Sequence, residues 1–157
     1  MPLPIPPAHE ISEVMGKPRA EWPTTFAVRW DYSPENLYLA DDGADPEDYE
    51  LGEYQIGEAD LAEIDQVLHI GSRRTAAELW TFAPHKVARA ILHWSAGGVM
   101  TPPLLDVNMG CLVIIGGNNR IAVSRADGQQ RLPFLYPAEK AALFADKLKT
   151  FSPLLHE

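Results

Sequence analysis

The chain has 157 residues, of which 46% are hydrophobic and 22% are charged, and its formal net charge is -9. That length is sufficient for one domain with a sizeable core, whereas no uninterrupted apolar stretch is long enough for a membrane span. The negative charge disfavours non-specific binding to DNA or anionic lipid, because affinity for phosphate backbones comes mainly from Lys and Arg.

Composition divides the chain into an arm and a domain. Residues 1–24 contain six prolines, which is typical of an irregular arm, and residues 25–157 are expected to form a single domain. The next residues, 26–32, are rich in strand formers and predict a strand, as do residues 49–56. Acidic residues concentrate in segment 41–65, so the charge of the chain is unevenly distributed.

The middle of the chain carries helix signals. Thr75 and Glu78 have the spacing of a capping box and predict a short helix. Pro84 suits the first turn of a longer helix, which the glycine pair at 97–98 ends. The apolar residues of this helix recur at helical spacing and predict one buried face: Val87, Ile91 and Trp94.

The second half alternates strands and helices. Residues 104–107 and 111–115 predict an antiparallel hairpin around a turn at 108–110. A helix over 121–127 follows, then a strand over 132–136, in which Pro133 favours an edge position or the first turn of the strand. A last helix is expected over 137–151. Interspersed helices and strands with at least one hairpin indicate an α+β, or mixed α/β, domain with a sheet flanked by helices.

The segment Gly116-Gly117-Asn118-Asn119-Arg120 lies between the apolar strand and the helix that follows it. A glycine turn at this place leaves backbone N–H groups of the helix without partners and directs the positive end of the helix dipole to the same point. This arrangement suits a phosphate, to which Arg120 can add a charged, forked contact. On the turn alone, a purely structural role is the more common reading.

The block from Val87 to Tyr136 resembles the ParB/sulfiredoxin superfamily. The elements of this block follow one another as in the superfamily. A helix is followed by a strand with prolines before it and by a second strand that ends in a Gly-x-x-Arg loop. A helix of small residues and a short strand that contains a proline come next. Gly116-Gly117-Asn118-Asn119-Arg120 resembles the sulfiredoxin motif Gly-Gly-Cys-His-Arg, and Leu105-Asp106-Val107 resembles its Ile-Asp-Val strand. Within the superfamily, the size of the chain fits the small stand-alone members.

The motif departs from sulfiredoxin at two positions. Asn118 occupies the place of the reactive cysteine and Asn119 that of the histidine, and an amide cannot act as a thiolate nucleophile. Sulfiredoxin activity is therefore excluded, while the phosphate loop is retained. We also expect no helix-turn-helix DNA-binding unit of the ParB kind, because only about twenty residues follow Tyr136 in this sequence.

The resemblance implies a protein that binds ATP or CTP with Mg²⁺ on Gly116, Gly117, Asn118, Asn119 and Arg120. It implies ATP hydrolysis and metal-dependent DNase activity, as in plasmid fertility-inhibition proteins, and hence an accessory or inhibitor of DNA transfer. It also suggests a basic residue before the long helix, Arg73 or Arg74, as a second phosphate contact. Asp106 and Arg120 are the candidate catalytic residues. Asp106 is also the candidate Mg²⁺ ligand, because its strand neighbours the loop strand.

Two alternatives remain open. The first is a non-enzymatic protein that binds a basic protein partner through the acidic segment 41–65, and the second is a kinase for a small hydroxylated substrate. The N-terminus lacks the basic region of a signal peptide, and Cys111 is the single cysteine. We therefore expect a cytoplasmic location and no membrane partner.

Overall fold

The computed structural model describes residues 10–40, 47, 49–50, 52–72 and 74–154. The described residues form five α-helices: α1 Ile11–Val14, α2 Leu61–Val67, α3 Pro84–Ser95, α4 Asn118–Ala126 and α5 Ala141–Lys147. They also form five strands: β1 Tyr54–Asp60, β2 Leu104–Asn108, β3 Cys111–Gly116, β4 Arg131–Pro137 and β5 Ser152–Pro153. Short 3₁₀ turns, among them Pro34–Ala40 and Ala76–Glu78, connect these elements.

The strands form one mixed sheet in the order β3-β2-β4-β1-β5. The β2–β3 hairpin and the β1 pairings with β4 and β5 are antiparallel, whereas β2 meets β4 in parallel at Leu104 and Leu135. The α+β class predicted from the sequence is therefore confirmed. None of the helices in the described residues is long and apolar enough to cross a membrane.

Two large hydrophobic clusters surround α4. The first joins the sheet to α2 and α5, and Ile121 is the residue that α4 contributes to it. The second joins α4, through Ala122 and Val123, to α3 and to the N-terminal segment. Because α4 contacts both clusters, its N-terminus and the loop before it are held between the sheet and α3.

The strand that contains Pro133 is not at an edge. β4 lies in the middle of the sheet, between β2 and β1, with Pro133 opposite Glu58. On the other side of β4 the pairing with β2 is confined to Leu104 and Leu135. The missing N–H of Pro133 is tolerated at the centre because the ladder does not extend to it on that side.

The boundaries of two further predicted elements also differ from those in the structure. Of residues 26–32, Trp30 forms a single bridge to Met100 and the rest form no strand. The last helix is shorter than expected, because α5 ends at Lys147 and a short strand follows it. The capping box of Thr75 and Glu78 is confirmed, with the Thr75 N–H donating to Glu78 Oε1 at 2.9 Å.

The described part of the proline-rich segment, residues 10–24, packs into the second cluster. Val14 is 1% exposed and Trp22 is 4% exposed. The Trp22 and Phe26 rings pack edge to face with their centroids 5.0 Å apart, and the Phe26 ring packs in the same way on Trp94 of α3. These residues therefore belong to the core of the domain that follows them in the chain.

A cation-lined cleft at the glycine turn

The glycine turn leads directly into α4. Gly117 is the N-cap, with φ of 89°, and its carbonyl accepts the N–H of Ile121 at 3.1 Å. The helix begins at Asn118, three residues before the predicted start, so Asn118, Asn119 and Arg120 form its first turn. First-turn N–H groups have no intrahelical acceptor, and the positive end of the helix dipole lies with them.

Two constraints require glycine at position 117. The positive φ is one that L-residues rarely adopt. In addition, a Cβ at this place would lie 2.6 Å from Arg120 Nη2 and 2.7 Å from Pro103 Cβ. The guanidinium of Arg120 therefore packs directly against the backbone of the turn.

Arg120 is 7% exposed, and its guanidinium supports the fold. Nη1 donates to the Thr101 carbonyl at 2.8 Å, and Nη2 donates to the Ala40 carbonyl at 3.1 Å. Ala40 ends the 3₁₀ turn Pro34–Ala40, and Thr101 precedes β2. Arg120 thus connects two segments to the glycine turn, in addition to bordering the space beside it.

That space is a cleft of about 610 Å³, the volume of a small-ligand site. We call it the cation-lined cleft. Its walls come from the turn, from α3, from the segment around residue 100 and from the 3₁₀ turn: Asp31, Leu39, Lys86, Arg89, Ala90, His93, Val99, Met100, Thr101, Gly117, Asn119 and Arg120.

Three cationic or titratable residues of α3 line the cleft, and sequence reasoning did not select them. Lys86, Arg89 and His93 are spaced i, i+3 and i+7 and share one side of the helix. The His93 ring is held at the Val99 carbonyl, 2.8 Å from Nε2. Lys86 and Arg89 are exposed, and their side chains form no hydrogen bond or ion pair with any other described residue.

The signal for these residues was present in the sequence as a second helical stripe. Val87, Ile91 and Trp94 form the buried face of the same helix, and charged residues beside such a face are usually interpreted as solvent-exposed. The second stripe therefore did not indicate a site. Only the packing of α3 against α4 shows that this face borders the glycine turn.

Among the described residues that line the cleft, Asp31 is the one with a carboxylate. Its Oδ1 accepts the Ser33 N–H at 2.9 Å and its Oδ2 accepts from Asn36 Nδ2 at 2.8 Å. Hydrogen bonds from Ser33, and then from Asn36, outweigh the opposing effect of burial and lower the pKa of Asp31. The side chain is therefore ionised and fixed in orientation at neutral pH.

Asp106 does not line the cleft. Its Oδ1 accepts from Lys140 Nζ at 2.7 Å and from the N–H of Val107 at 2.7 Å. The ion pair joins β2 to the 3₁₀ turn Ala138–Lys140. The loop and the predicted catalytic carboxylate are therefore not brought to one site, although their strands are neighbours.

Only some of the other residues predicted for the site line the cleft. Gly117, Asn119 and Arg120 line the cleft, whereas Gly116 and Asn118 do not. Arg74 lies over the ring of Phe82, with Cζ 4.1 Å from the ring centre, and is also outside the cleft. Arg73 lies outside the described residues. Among the described residues, no three His, Cys, Asp or Glu side chains converge on a metal position.

The acidic segment 41–65 lies partly outside the described residues, at 41–46, 48 and 51. Much of the charge on its described part is paired within the chain. Arg125 holds Asp65 through two hydrogen bonds, at 2.6 and 2.9 Å. Arg131 pairs with both Glu58 and Asp60. These carboxylates stabilise the fold and are not free for a basic partner.

Comparison with known protein families, with curated proteins and with solved structures found no match.

Proposed function

We propose that the protein binds a nucleotide, ATP or CTP with Mg²⁺, in the cation-lined cleft. The observation that carries the proposal is that Lys86 and Arg89 face the same cleft as the first turn of α4 without partners among the described residues. Cations and free N–H groups that converge on one cavity are complementary to an anion with several oxygens.

The phosphates belong at the turn. The first-turn N–H groups of α4 and the amide side chain of Asn119 supply neutral donors, and Arg89 and Lys86 supply charge. Arg120 acts mainly by fixing the backbone of the turn, since two of its N–H donors are committed to carbonyls. In this proposal Arg120 is a positioning residue and Arg89 is a phosphate ligand.

Apolar side chains also line the cleft and suit a base. Leu39 and Val99 are 49% and 46% exposed, and Ala90 and Met100 border the same cavity. A cleft that combines cations with apolar side chains favours a nucleotide over inorganic phosphate. A cytoplasmic location, as expected from the sequence, agrees with such a ligand.

The resemblance to the ParB/sulfiredoxin superfamily extends the proposal to ATP hydrolysis and metal-dependent DNA cleavage. Phosphoryl transfer depends mainly on positioning and on neutralising charge, and the rigid turn and the cations of α3 supply both. The alternative of an acidic interaction protein is less favoured, because Glu58, Asp60 and Asp65 are paired internally.

Isothermal titration with ATP, ADP and CTP tests the proposal. We expect Arg89→Gln to weaken binding by about 1.5–3 kcal/mol, or roughly ten- to a hundredfold in Kd, as for the loss of a charged hydrogen bond. Arg74→Gln is the matched control, because Arg74 was the sequence-based candidate and lies outside the cleft. Arg120→Ala is unsuitable, since it also removes hydrogen bonds that hold the fold.

The titrations distinguish binding in the cleft from binding elsewhere and from no binding at all. Weaker binding in Arg89→Gln with unchanged binding in Arg74→Gln supports the cleft as the nucleotide site. Equal affinity of Arg89→Gln and wild type, or loss of binding in Arg74→Gln alone, contradicts the placement. The absence of heat from all three nucleotides, together with an unchanged melting temperature, contradicts nucleotide binding itself.

A further inference from the structure

The cation-lined cleft contains a charge that a simple anion site would not need. Asp31 is the acidic residue among the described residues that line it, beside Lys86, Arg89, His93 and Arg120. An ionised carboxylate in this place repels phosphate, and this lowers the affinity that the cations provide.

The cations of the cleft do not neutralise Asp31. Its hydrogen bonds come from Ser33 and Asn36, which are neutral, and no ion pair joins it to any described Lys, Arg or His. Asp31 and Arg120 nevertheless bind neighbouring carbonyls of one segment, because the Asp31 N–H donates to the Met100 carbonyl and Arg120 donates to the next carbonyl, that of Thr101.

Asp31 accepts hydrogen bonds from the Ser33 N–H, from the Ser33 side chain and from Asn36, which leaves about one of the roughly four lone-pair sites of the carboxylate for a further ligand. These bonds fix the orientation of the group, so it requires little further ordering to bind a ligand. A carboxylate of this kind beside a phosphate site is the arrangement in which proteins hold Mg²⁺, which takes one or two carboxylates and completes its shell with substrate phosphates and water.

We propose that Asp31 is the protein ligand of a Mg²⁺ ion that enters the cleft with the phosphates of the nucleotide. The proposal rests on the proposed function and replaces Asp106 with Asp31 as the metal carboxylate. It also accounts for the lack of a cluster of three protein ligands among the described residues, since the phosphates and water supply the other positions.

Titration of ATP into the protein with Mg²⁺ and with EDTA tests the proposal. In the wild type we expect ATP to bind roughly tenfold more tightly with Mg²⁺ than with EDTA. In Asp31→Asn this difference disappears, and ATP in EDTA binds as tightly as in the wild type or more tightly, because the repelling charge has been removed. A purely structural role of Asp31 cannot tighten metal-free binding.

Asp106→Asn is the matched control, because its carboxylate is ion-paired with Lys140 outside the cleft. It keeps the Mg²⁺ dependence if Asp31 is the ligand. Asp31→Ser is a second variant in case Asp31→Asn does not fold, since a serine hydroxyl can still accept the Ser33 N–H. Thermal melting of each variant verifies the fold before titration.

Two kinds of failure are distinguishable. If the wild type binds no ATP under either condition, the proposed function fails and this inference fails with it. If the wild type binds ATP but Asp31→Asn keeps the full Mg²⁺ dependence, or Asp106→Asn loses it, nucleotide binding stands and the assignment of the metal to Asp31 is overturned.

Discussion

At the scale of single residues, the site depends on the contact between Gly117 and Arg120. The turn can approach the guanidinium closely because it carries no side chain, and the guanidinium in turn holds the carbonyls of Thr101 and Ala40. Loss of the guanidinium removes a donor from each of these two carbonyls, at a cost of about 1–3 kcal/mol for each carbonyl left unpaired.

Gly117→Ala is predicted to destabilise the protein more than Gly128→Ala. Both glycines have positive φ, 89° and 79°, so both variants lose about 1–2 kcal/mol to backbone strain. A Cβ at Gly128 meets nothing within 4 Å, whereas at Gly117 it meets Arg120 and Pro103. Urea denaturation of the two variants measures the difference, and equal free energies of unfolding would show that the close packing of Arg120 contributes nothing.

At the scale of elements, α3 and α4 build the cleft and their opposite sides build the core. Val87, Ile91 and Trp94 of α3 face the buried cluster, while Lys86 and Arg89 face the cleft. One helix therefore fixes the position of the charges through its packing. The C-terminal turn is held to α2 in a comparable way, because Glu63 accepts the N–H groups of Lys149 and Thr150.

The contact at Glu63 predicts a pH dependence of stability. Burial acts to raise the pKa of Glu63, but hydrogen bonds from Thr150 and Lys149 outweigh it, and the pKa lies below the ordinary value of 4.5. Stability from this group is therefore complete above that value and is lost as the pH falls through the lowered folded pKa. Urea denaturation over this range should show a smaller acid-induced loss for Glu63→Gln than for wild type; identical pH profiles would refute the coupling.

At the scale of the whole molecule, the segment before residue 25 completes the core. Trp22 packs on Phe26, and its Nε1 donates to the Lys17 carbonyl at 3.1 Å. The buried side of α3 is therefore covered partly by residues whose composition predicts an arm.

Trp22→Ala is expected to cost about 3–5 kcal/mol, the usual cost of truncating a buried aromatic residue. Trp22→Phe, which keeps most of the apolar volume, should cost distinctly less. Thermal and urea denaturation provide the comparison. A change close to zero in Trp22→Ala would mean that residues 10–24 do not contribute to the stability of the domain.

Sequence patterns predicted the elements whose signals are local. The hairpin follows from two apolar runs around a short turn, α3 from helical spacing between Pro84 and a glycine pair, and the Thr75–Glu78 box from its spacing alone. The position of β4 could not be predicted in this way. Whether Pro133 lies at an edge depends on which strands pair with β4, and this pairing is decided by contacts distant in the chain.

The same division applies to the candidate site. The sequence by itself determined the glycine turn at the start of α4, because glycine, helix start and preceding strand are adjacent in the chain. Only the tertiary structure decided which charges accompany the turn. It brought Lys86, Arg89 and Asp31 to the turn and kept Asp106 with Lys140, because a cleft forms from elements that pack together, whatever their separation in sequence.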